Sequence, residues 1–465
     1  MLKKKFDYDV IIIGAGSAGI TAAKFSGLLR KRVAVVSENI GGDCLLHGCI
    51  PSKAFLASAH TLRNSTQTCD EKYEIAKNAV RQAIQQIILE KDNEIKLRKD
   101  GVDVYLQRAI FLDSHHVQLA NGLILSGKYF LLCTGSVQRP FNFSITNKLY
   151  VTSNNNAFSL PHLPARLAII GGGPIGCEFA QAFKNLGSEV VLFQKGNYLL
   201  PKDDHAASTL LEDIFIKDGI SILKNALIQK IDEIQDKKVI TYSYKSKIVT
   251  GVFDTVIVAI GRVPNCFGIG LEKIRVKIED GKILHNVLLQ TTQRHIYLAG
   301  DICGNQMFTH KASFDAVIAV QNMFLQKKDA GKQVIGWTTF TDPQIAHVGA
   351  CEHELIQNHI KYRIIYFPYS AIDRAITDQN QNGFIRIYAD KNDMILGAHI
   401  CGLHAGEIIH EFIIAMQLRL SLASLLSVTH IYPTISSGIS EALFEDFLQQ
   451  KNIRTFFMRF LAKLH

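Results

Sequence analysis

Two stretches of the chain repeat one pattern of apolar and polar positions, at residues 10–38 and again at 167–195. Each runs from a β-branched segment through a glycine turn into a helical segment and then a second apolar run. VIIIGAGSAG places glycines at 14, 16 and 19, and LAIIGGGPIG places them at 171, 173 and 176. In such a turn the first glycine permits the tight bend, the second lets backbone approach a pyrophosphate, and the third lets helix pack on strand. The helix that follows turns unpaired N–H groups toward phosphate. The duplication predicts two dinucleotide sites in an α/β fold.

Residues 70–101 carry Ile and Val at the spacing of one amphipathic helix ending near Gly101. Three apolar strands then run into glycine, at 129–136, 255–262 and 296–301, where the missing side chain allows a ligand to come close. From about Trp337 the glycine-turn pattern stops. The alternating runs GFIRIYAD and MILGAHICG precede the helical segments HAGEIIHEFIIAMQLRL and EALFEDFLQQ, which predicts a separate α+β domain. The basic, aromatic tail at 453–465 is expected to be a terminal helix docked on its own chain or on a partner subunit.

At 465 residues the chain holds about three domains' worth of sequence. With 47% apolar and 20% charged residues, a largely disordered chain is excluded. The net charge is 51 − 42 = +9, a modest excess that marks no nucleic-acid groove. Nine scattered cysteines argue against a secreted disulfide framework, and only Cys44 and Cys49 lie close together. No apolar run reaches the roughly 18 residues needed to span a bilayer. Three lysines before the first strand mimic a leader, but Asp7 and Asp9 interrupt it. A cytoplasmic enzyme is expected.

Glu38 stands 19 residues beyond Gly19, at the end of the second strand, where a carboxylate can accept hydrogen bonds from a ribose. Just after it, GGDCLLHGCIPSK (41–53) puts Cys44 and Cys49 beside the first nucleotide site. With GAGSAG, CTGS, GGGPIGCE, AIGRVPN, YLAGD, FTDPQIAHVG and HIYPT in the same order, the whole chain resembles the pyridine nucleotide-disulfide oxidoreductases. That flavoprotein family includes dihydrolipoamide dehydrogenase, glutathione reductase and mercuric reductase.

The resemblance implies two Rossmann-type domains, for FAD (1–150 and 276–333) and NAD(P) (151–275), and a C-terminal α+β dimerisation domain (334–465). It places FAD on Gly14, Gly16, Ser17, Gly19, Glu38, Gly42, Asp43 and Lys53. Ala109, Thr134, Gly135, Arg262, Gly300, Asp301, Met307, Phe308 and Thr309 complete that site. NAD(P)H is placed on Gly171, Gly173, Pro174, Ile175, Gly176, Glu178, Gln194, Lys195 and Gly261. Electrons then pass from NAD(P)H to FAD and on to a Cys44–Cys49 disulfide, with Cys49 toward the flavin and Cys44 toward the substrate. Lys53 is expected to pair with Glu178. The other seven cysteines are assigned to packing, and no metal-ligand set is assigned.

One motif departs from the family. Thiol-forming members carry His-Pro-Thr with a Glu five residues after the His, whereas HIYPTISSG places Tyr432 and Ser437 at those positions. A phenol with a pKa of about 10 is a poor base at neutral pH. His430 and Glu441 are alternative acids, and a cis Tyr432–Pro433 bond is expected by resemblance. The tyrosine and the GGDC opening resemble the mercuric reductase branch, but the last cysteine is Cys401, so the C-terminal delivery pair is missing. The leading expectation is a mercuric reductase-like enzyme passing electrons to a metal ion or disulfide. A dihydrolipoamide dehydrogenase is the alternative, and a flavin redox sensor without turnover is the reading from another class. NADPH is favoured because Lys195 can meet a 2′-phosphate and no carboxylate stands there to repel it. A homodimer is implied, with Tyr432 reaching the other chain's cysteines.

Overall fold

The computed structural model describes residues 6–146, 151–152 and 156–449. The tail at 453–465 lies outside them. The apolar run after Phe6 becomes the central strand Tyr8–Ala15 of a seven-stranded sheet, flanked by the parallel strands Val33–Ile40 and Ile124–Leu132. Strands buried on both faces need continuous apolar sequence, and Val10, Ile11, Ile12 and Ile13 supply it. Ile296–Leu298, almost 300 residues from the chain start, returns to pair in parallel with Ile124–Leu132. The residues that follow it are thereby delivered to the same sheet edge as the first glycine turn.

The second repeat builds a parallel five-stranded sheet centred on Arg166–Ile170, between Glu189–Gln194 and Thr255–Val258. A third, antiparallel layer, Leu227–Ile234 with Lys237–Tyr244 and Lys247–Phe253, packs beside it. The C-terminal part is an antiparallel five-stranded sheet in the order Gly336–Thr339, Gln344–Gly349, Ile395–Gly402, Phe384–Ala389, Arg363–Pro368. The helices Ala405–Leu418 and Ser437–Gln449 share one core with it. The expected doubly wound and α+β parts are both present.

The helix expected over 70–101 is instead two, Cys69–Glu90 and Glu94–Lys99. Asn93 causes the break. Its amide nitrogen donates to the carbonyls of Ile88 (2.8 Å) and Leu89 (3.1 Å), closing the first helix, and its amide oxygen accepts from Lys96 N (2.9 Å), capping the second.

Candidate functional site

The first glycine turn forms a cradle that side chains would fill. Gly14 has φ +105°, and a Cβ there would lie 2.3 Å from the carbonyl oxygen of Cys133. A Cβ on Gly42 (φ +60°) would lie 2.6 Å from the Cα of Gly16. The helix Ser17–Leu28 begins after Gly16 with no side-chain cap, so its first-turn N–H groups are free to bind an anion. These features fit the pyrophosphate of FAD. Gly42→Ala is expected to weaken FAD retention by tenfold or more, roughly 1.4 kcal/mol or above. The ratio of flavin to protein absorbance after gel filtration measures it.

Around the cradle, Glu38 is ion-paired with exposed Arg108 at 2.8 Å, and Ala109, next along, is buried in the strand Ala109–Asp113. Ser136 donates to Asp301 at 2.6 Å, while Arg262 holds Ser136 through its hydroxyl (2.7 Å) and carbonyl (2.8 Å) and pairs with Asp43 at 2.9 Å. Burial raises the Asp301 carboxyl, against the lowering effect of that hydrogen bond and of Arg262. The Thr134 hydroxyl is committed to the Asn265 carbonyl (2.7 Å), so its contact with a ligand would be through backbone. Gly135 and Gly300 both have positive φ. Ser136 was missed in the sequence because nothing in a short polar strand marks a residue that links two others more than 100 positions away.

Cys44 lies in the short helix Gly42–Leu46, and Cys49 opens the helix Cys49–Leu62 directly after Gly48. The chain carries them as two thiols. The Thr309 hydroxyl stands between them, 3.1 Å from the Cys44 sulfur and 3.3 Å from the Cys49 sulfur. Thr309 is the first residue of the helix Thr309–Phe324, following Met307 and Phe308. The hydrogen bond from Cys44 lowers the Cys49 thiol to about 6, helped by Thr309 and by the charge of Lys53 and opposed by burial and Glu178. Cys44 moves the opposite way, because its proton is held against the Cys49 sulfur and burial adds to the shift. These opposed shifts favour the proton on Cys44 and the charge on Cys49, and a thiolate is the reactive form of the group.

Behind Cys49, Lys53 reaches both carboxylate oxygens of Glu178 at 2.9 and 3.0 Å. The Phe340 backbone N–H donates to Glu178 at 3.0 Å, and the Phe340 ring lies 4.6 Å from the Lys53 ammonium. Glu178 sits in the first turns of the helix Pro174–Leu186, whose N-terminal residue Gly173 supplies no side-chain cap. Gly171 has φ +115°, a Cβ on Gly176 would meet its carbonyl oxygen at 1.8 Å, and Gly173 faces open space. Pro174 and Ile175 form the first turn there. Gly261, also at positive φ, follows the strand Thr255–Val258. The Lys53–Glu178 pair thus joins the two glycine cradles. Gln194 does not point its amide outward as expected: it donates to the Tyr198 carbonyl (2.6 Å) and accepts from Gly172 N (3.3 Å) and Lys195 N (3.1 Å). Lys195 is exposed.

Residues 8–316 match the family model described as pyridine nucleotide-disulphide oxidoreductase. The chain belongs to this family. Residues 335–443 match the family's dimerisation domain. The chain is similar to dihydrolipoyl dehydrogenase of Chlamydia pneumoniae, 32% identical over 454 residues, 94% of this chain and 96% of that protein. It is equally similar to dihydrolipoamide dehydrogenase of Chaetomium thermophilum, 32% identical over 460 residues, 94% and 90% of the two chains. In fold it resembles the HOCl-induced flavoprotein disulfide reductase RclA of Escherichia coli, with a TM-score of 0.84, 23% identity and coverage of 94% and 99%. LpdA of Mycobacterium tuberculosis gives 0.83 and 24% identity, also over 94% and 99%. The chain is thus an FAD- and pyridine nucleotide-dependent disulfide oxidoreductase. Dihydrolipoyl dehydrogenases stand among the relatives it matches, which is the alternative reading and not the leading one. No helix among the described residues is long and apolar enough to cross a membrane.

The region where the sequence leaves the family pattern has its own geometry. Tyr432 is exposed, precedes a cis bond to Pro433, and donates from its hydroxyl to Asp373 at 2.8 Å. That carboxylate raises the phenol further, so Tyr432 remains a donor and not a base. Ser437 hydrogen-bonds to Glu441 at 3.1 Å. His430 is nearly buried, with Nε2 on Glu411 at 2.9 Å and Nδ1 on the Ser440 hydroxyl. Both ring nitrogens are occupied, so His430 anchors the loop and does not face outward as an acid. Of the two alternative acids, His430 is thus committed within the loop, while burial raises the Glu441 carboxyl.

Proposed function

We propose that the chain is an NAD(P)H-dependent flavoprotein reductase whose acceptor is a small disulfide of the lipoamide class. The observation that carries this reading is the Cys44–Cys49 pair with the Thr309 hydroxyl 3.1 and 3.3 Å from its two sulfurs. FAD, when bound, supplies two-electron exchange with the nicotinamide. The Cys49 thiolate takes the Cys44 proton, freeing Cys44 as the thiolate that attacks one sulfur of the acceptor, and the proton passes on from Cys49 to the departing sulfur. The Cys49 thiolate then attacks Cys44, closing the Cys44–Cys49 disulfide and releasing the second acceptor sulfur as a thiolate. Atoms and electrons balance: one disulfide is reduced and one dithiol is oxidised. The pair brings its own proton to the first leaving group, which reduces the need for an external histidine. Tyr432 supplies a hydrogen bond near the acceptor, and in a homodimer built through 335–443 it faces the other subunit's cysteines.

A second reading, a soft metal ion as acceptor, is supported by Tyr432 and Ser437, because reducing such an ion requires no proton on a departing sulfur. One acceptor panel tests both readings with FAD-loaded protein, NADH or NADPH, and oxidised lipoamide, glutathione disulfide or Hg²⁺. Lipoamide turnover at least about tenfold above that with Hg²⁺ is expected. The reverse order selects the metal reading. Nucleotide consumption that stops at about one equivalent per FAD whatever acceptor is added selects the sensor. NADPH is expected to be preferred, since Lys195 is free to meet its 2′-phosphate while the Gln194 amide is committed inside the loop.

A further inference from the structure

Across the C-terminal sheet, Trp337, His347 and His399 are direct cross-strand neighbours, and register places Arg386 next in the row. All four lie on the face turned toward the nucleotide-binding part of the chain, away from the helix Ala405–Leu418. Cys351, four residues beyond His347, caps the helix Glu352–Gln357 and folds back to the same point. His347, His399 and Cys351 are all buried, and one ligand atom from each lies within 4.8 Å of the others. The two Nδ1 atoms are 3.1 Å apart, and the Cys351 sulfur is 3.7 Å from the His347 Nδ1.

We infer that His347 Nδ1, His399 Nδ1 and Cys351 Sγ form a binding site for one thiophilic d¹⁰ cation, Cu⁺ or Zn²⁺. The donor set is two imidazoles and a thiolate, which suits these ions and not Mg²⁺ or Ca²⁺. Bonds of about 2.1 Å to nitrogen and 2.3 Å to sulfur put ligating nitrogens about 3.4 Å apart and nitrogen and sulfur about 3.6 Å apart, close to the 3.1 and 3.7 Å that His347 Nδ1 keeps to the other two ligand atoms. His399 is pre-set for the role: its Nε2 faces the Ala350 carbonyl at 3.3 Å, which fixes the proton there and turns the Nδ1 lone pair inward.

Without a cation, His347 Nδ1 donates to His399 Nδ1, which leaves His347 Nε2 buried with no partner. A cation on Nδ1 moves that proton to Nε2. The same arrangement turns two imidazole Nδ1 atoms and a thiol, which also donates to the Lys202 carbonyl at 3.4 Å, toward one point. Binding replaces the Cys351 proton, which is released to solvent. Cu⁺ with one thiolate and two neutral imidazoles carries no net charge, which a fully enclosed site favours. Zn²⁺ leaves one positive charge, for which Asp204, 4.0 Å from His399 Nε2, is the nearest counterion. This site is separate from the redox cysteines.

The chain's only tryptophan gives the readout. Trp337 lies against His347 with ring centroids 3.9 Å apart. The test uses full-length, FAD-loaded protein in which Cys44→Ser and Cys49→Ser remove the other dithiol. Titration with Cu⁺ from a buffered chelator, and separately with Zn²⁺, is expected to quench Trp337 emission at one equivalent. The ion with the tighter binding is the one the site selects. Cys351→Ser and His399→Gln should each weaken uptake by about 100-fold, with FAD content and near-UV circular dichroism reporting on their folding. Co²⁺ in the same double variant, where no core residue is changed, should give tetrahedral d–d bands at wavelengths beyond flavin absorption. Absence of those bands together with unchanged Trp337 emission, or equal uptake by folded Cys351→Ser protein, overturns the assignment.

Discussion

Cys44→Ser and Cys49→Ser each cut NAD(P)H-dependent disulfide turnover by more than about 10³-fold, and the double substitution costs little more than either alone. The two sulfurs act as a unit: Cys44 delivers the attacking atom and the proton, and Cys49 closes the disulfide that releases product. Serine fits either position but is too weak an acid to replace the thiolate. Both residues sit at the mouth of the site and not in the core, so folding should change by less than about 0.5 kcal/mol and FAD should remain bound. The two positions differ in a second measurement. In Cys44→Ala, which unlike serine leaves no donor, the surviving Cys49 loses the hydrogen bond that does most to lower it, so its alkylation by iodoacetamide requires higher pH. In Cys49→Ser the surviving Cys44 loses the neighbour that raises it, and its alkylation shifts to lower pH. A single variant retaining a tenth of the turnover would remove the dithiol from the reaction path.

The parts of this site that were legible in the sequence are those with a local physical cause. Gly14 and Gly171 must occupy positive φ against a carbonyl oxygen, and that requirement shows as a glycine directly after an apolar run. Cys44 and Cys49 are legible because they stand only five positions apart. The Lys53–Glu178 pair spans 125 positions and was available only through the family resemblance. Ser136, the Phe340 N–H and the His347–His399 contact depend on strand register and backbone direction, which residue type does not encode. Gln194 shows the same limit from the other side. Its place at a strand end was readable, but the commitment of its amide to Tyr198 arises from a loop that folds back on it. The single helix over 70–101 failed for a comparable reason, since apolar spacing continues through Asn93 while its side chain divides the backbone hydrogen bonds between two helices.

Lys53→Met and Glu178→Gln should move Cys49 in opposite directions. Lys53 lowers the thiol through its charge and Glu178 raises it, so removing the cation lifts the midpoint of iodoacetamide labelling in reduced protein, and neutralising the carboxylate drops it. Stability separates the variants as well. Glu178 is 5% exposed, and Lys53→Met leaves that charge buried with only the Phe340 N–H, costing about 3 kcal/mol because the lysine end of the pair is partly solvated. Glu178→Gln preserves acceptor and shape and costs about 1 kcal/mol. The pH dependence has a definite sign. The Cys49 thiol is lowered from 9.0 to about 6, so its contribution to the stability of the reduced protein is full above pH 9 and is lost as pH falls through 6. Reactivity follows the same thiolate fraction and should fall below pH 6 in the parent protein. In Lys53→Met that loss begins at higher pH, so the variant is both less stable and less reactive at neutrality. Equal labelling midpoints in Lys53→Met, Glu178→Gln and parent protein would show that the ion pair between the two glycine cradles does not act on the sulfur at all.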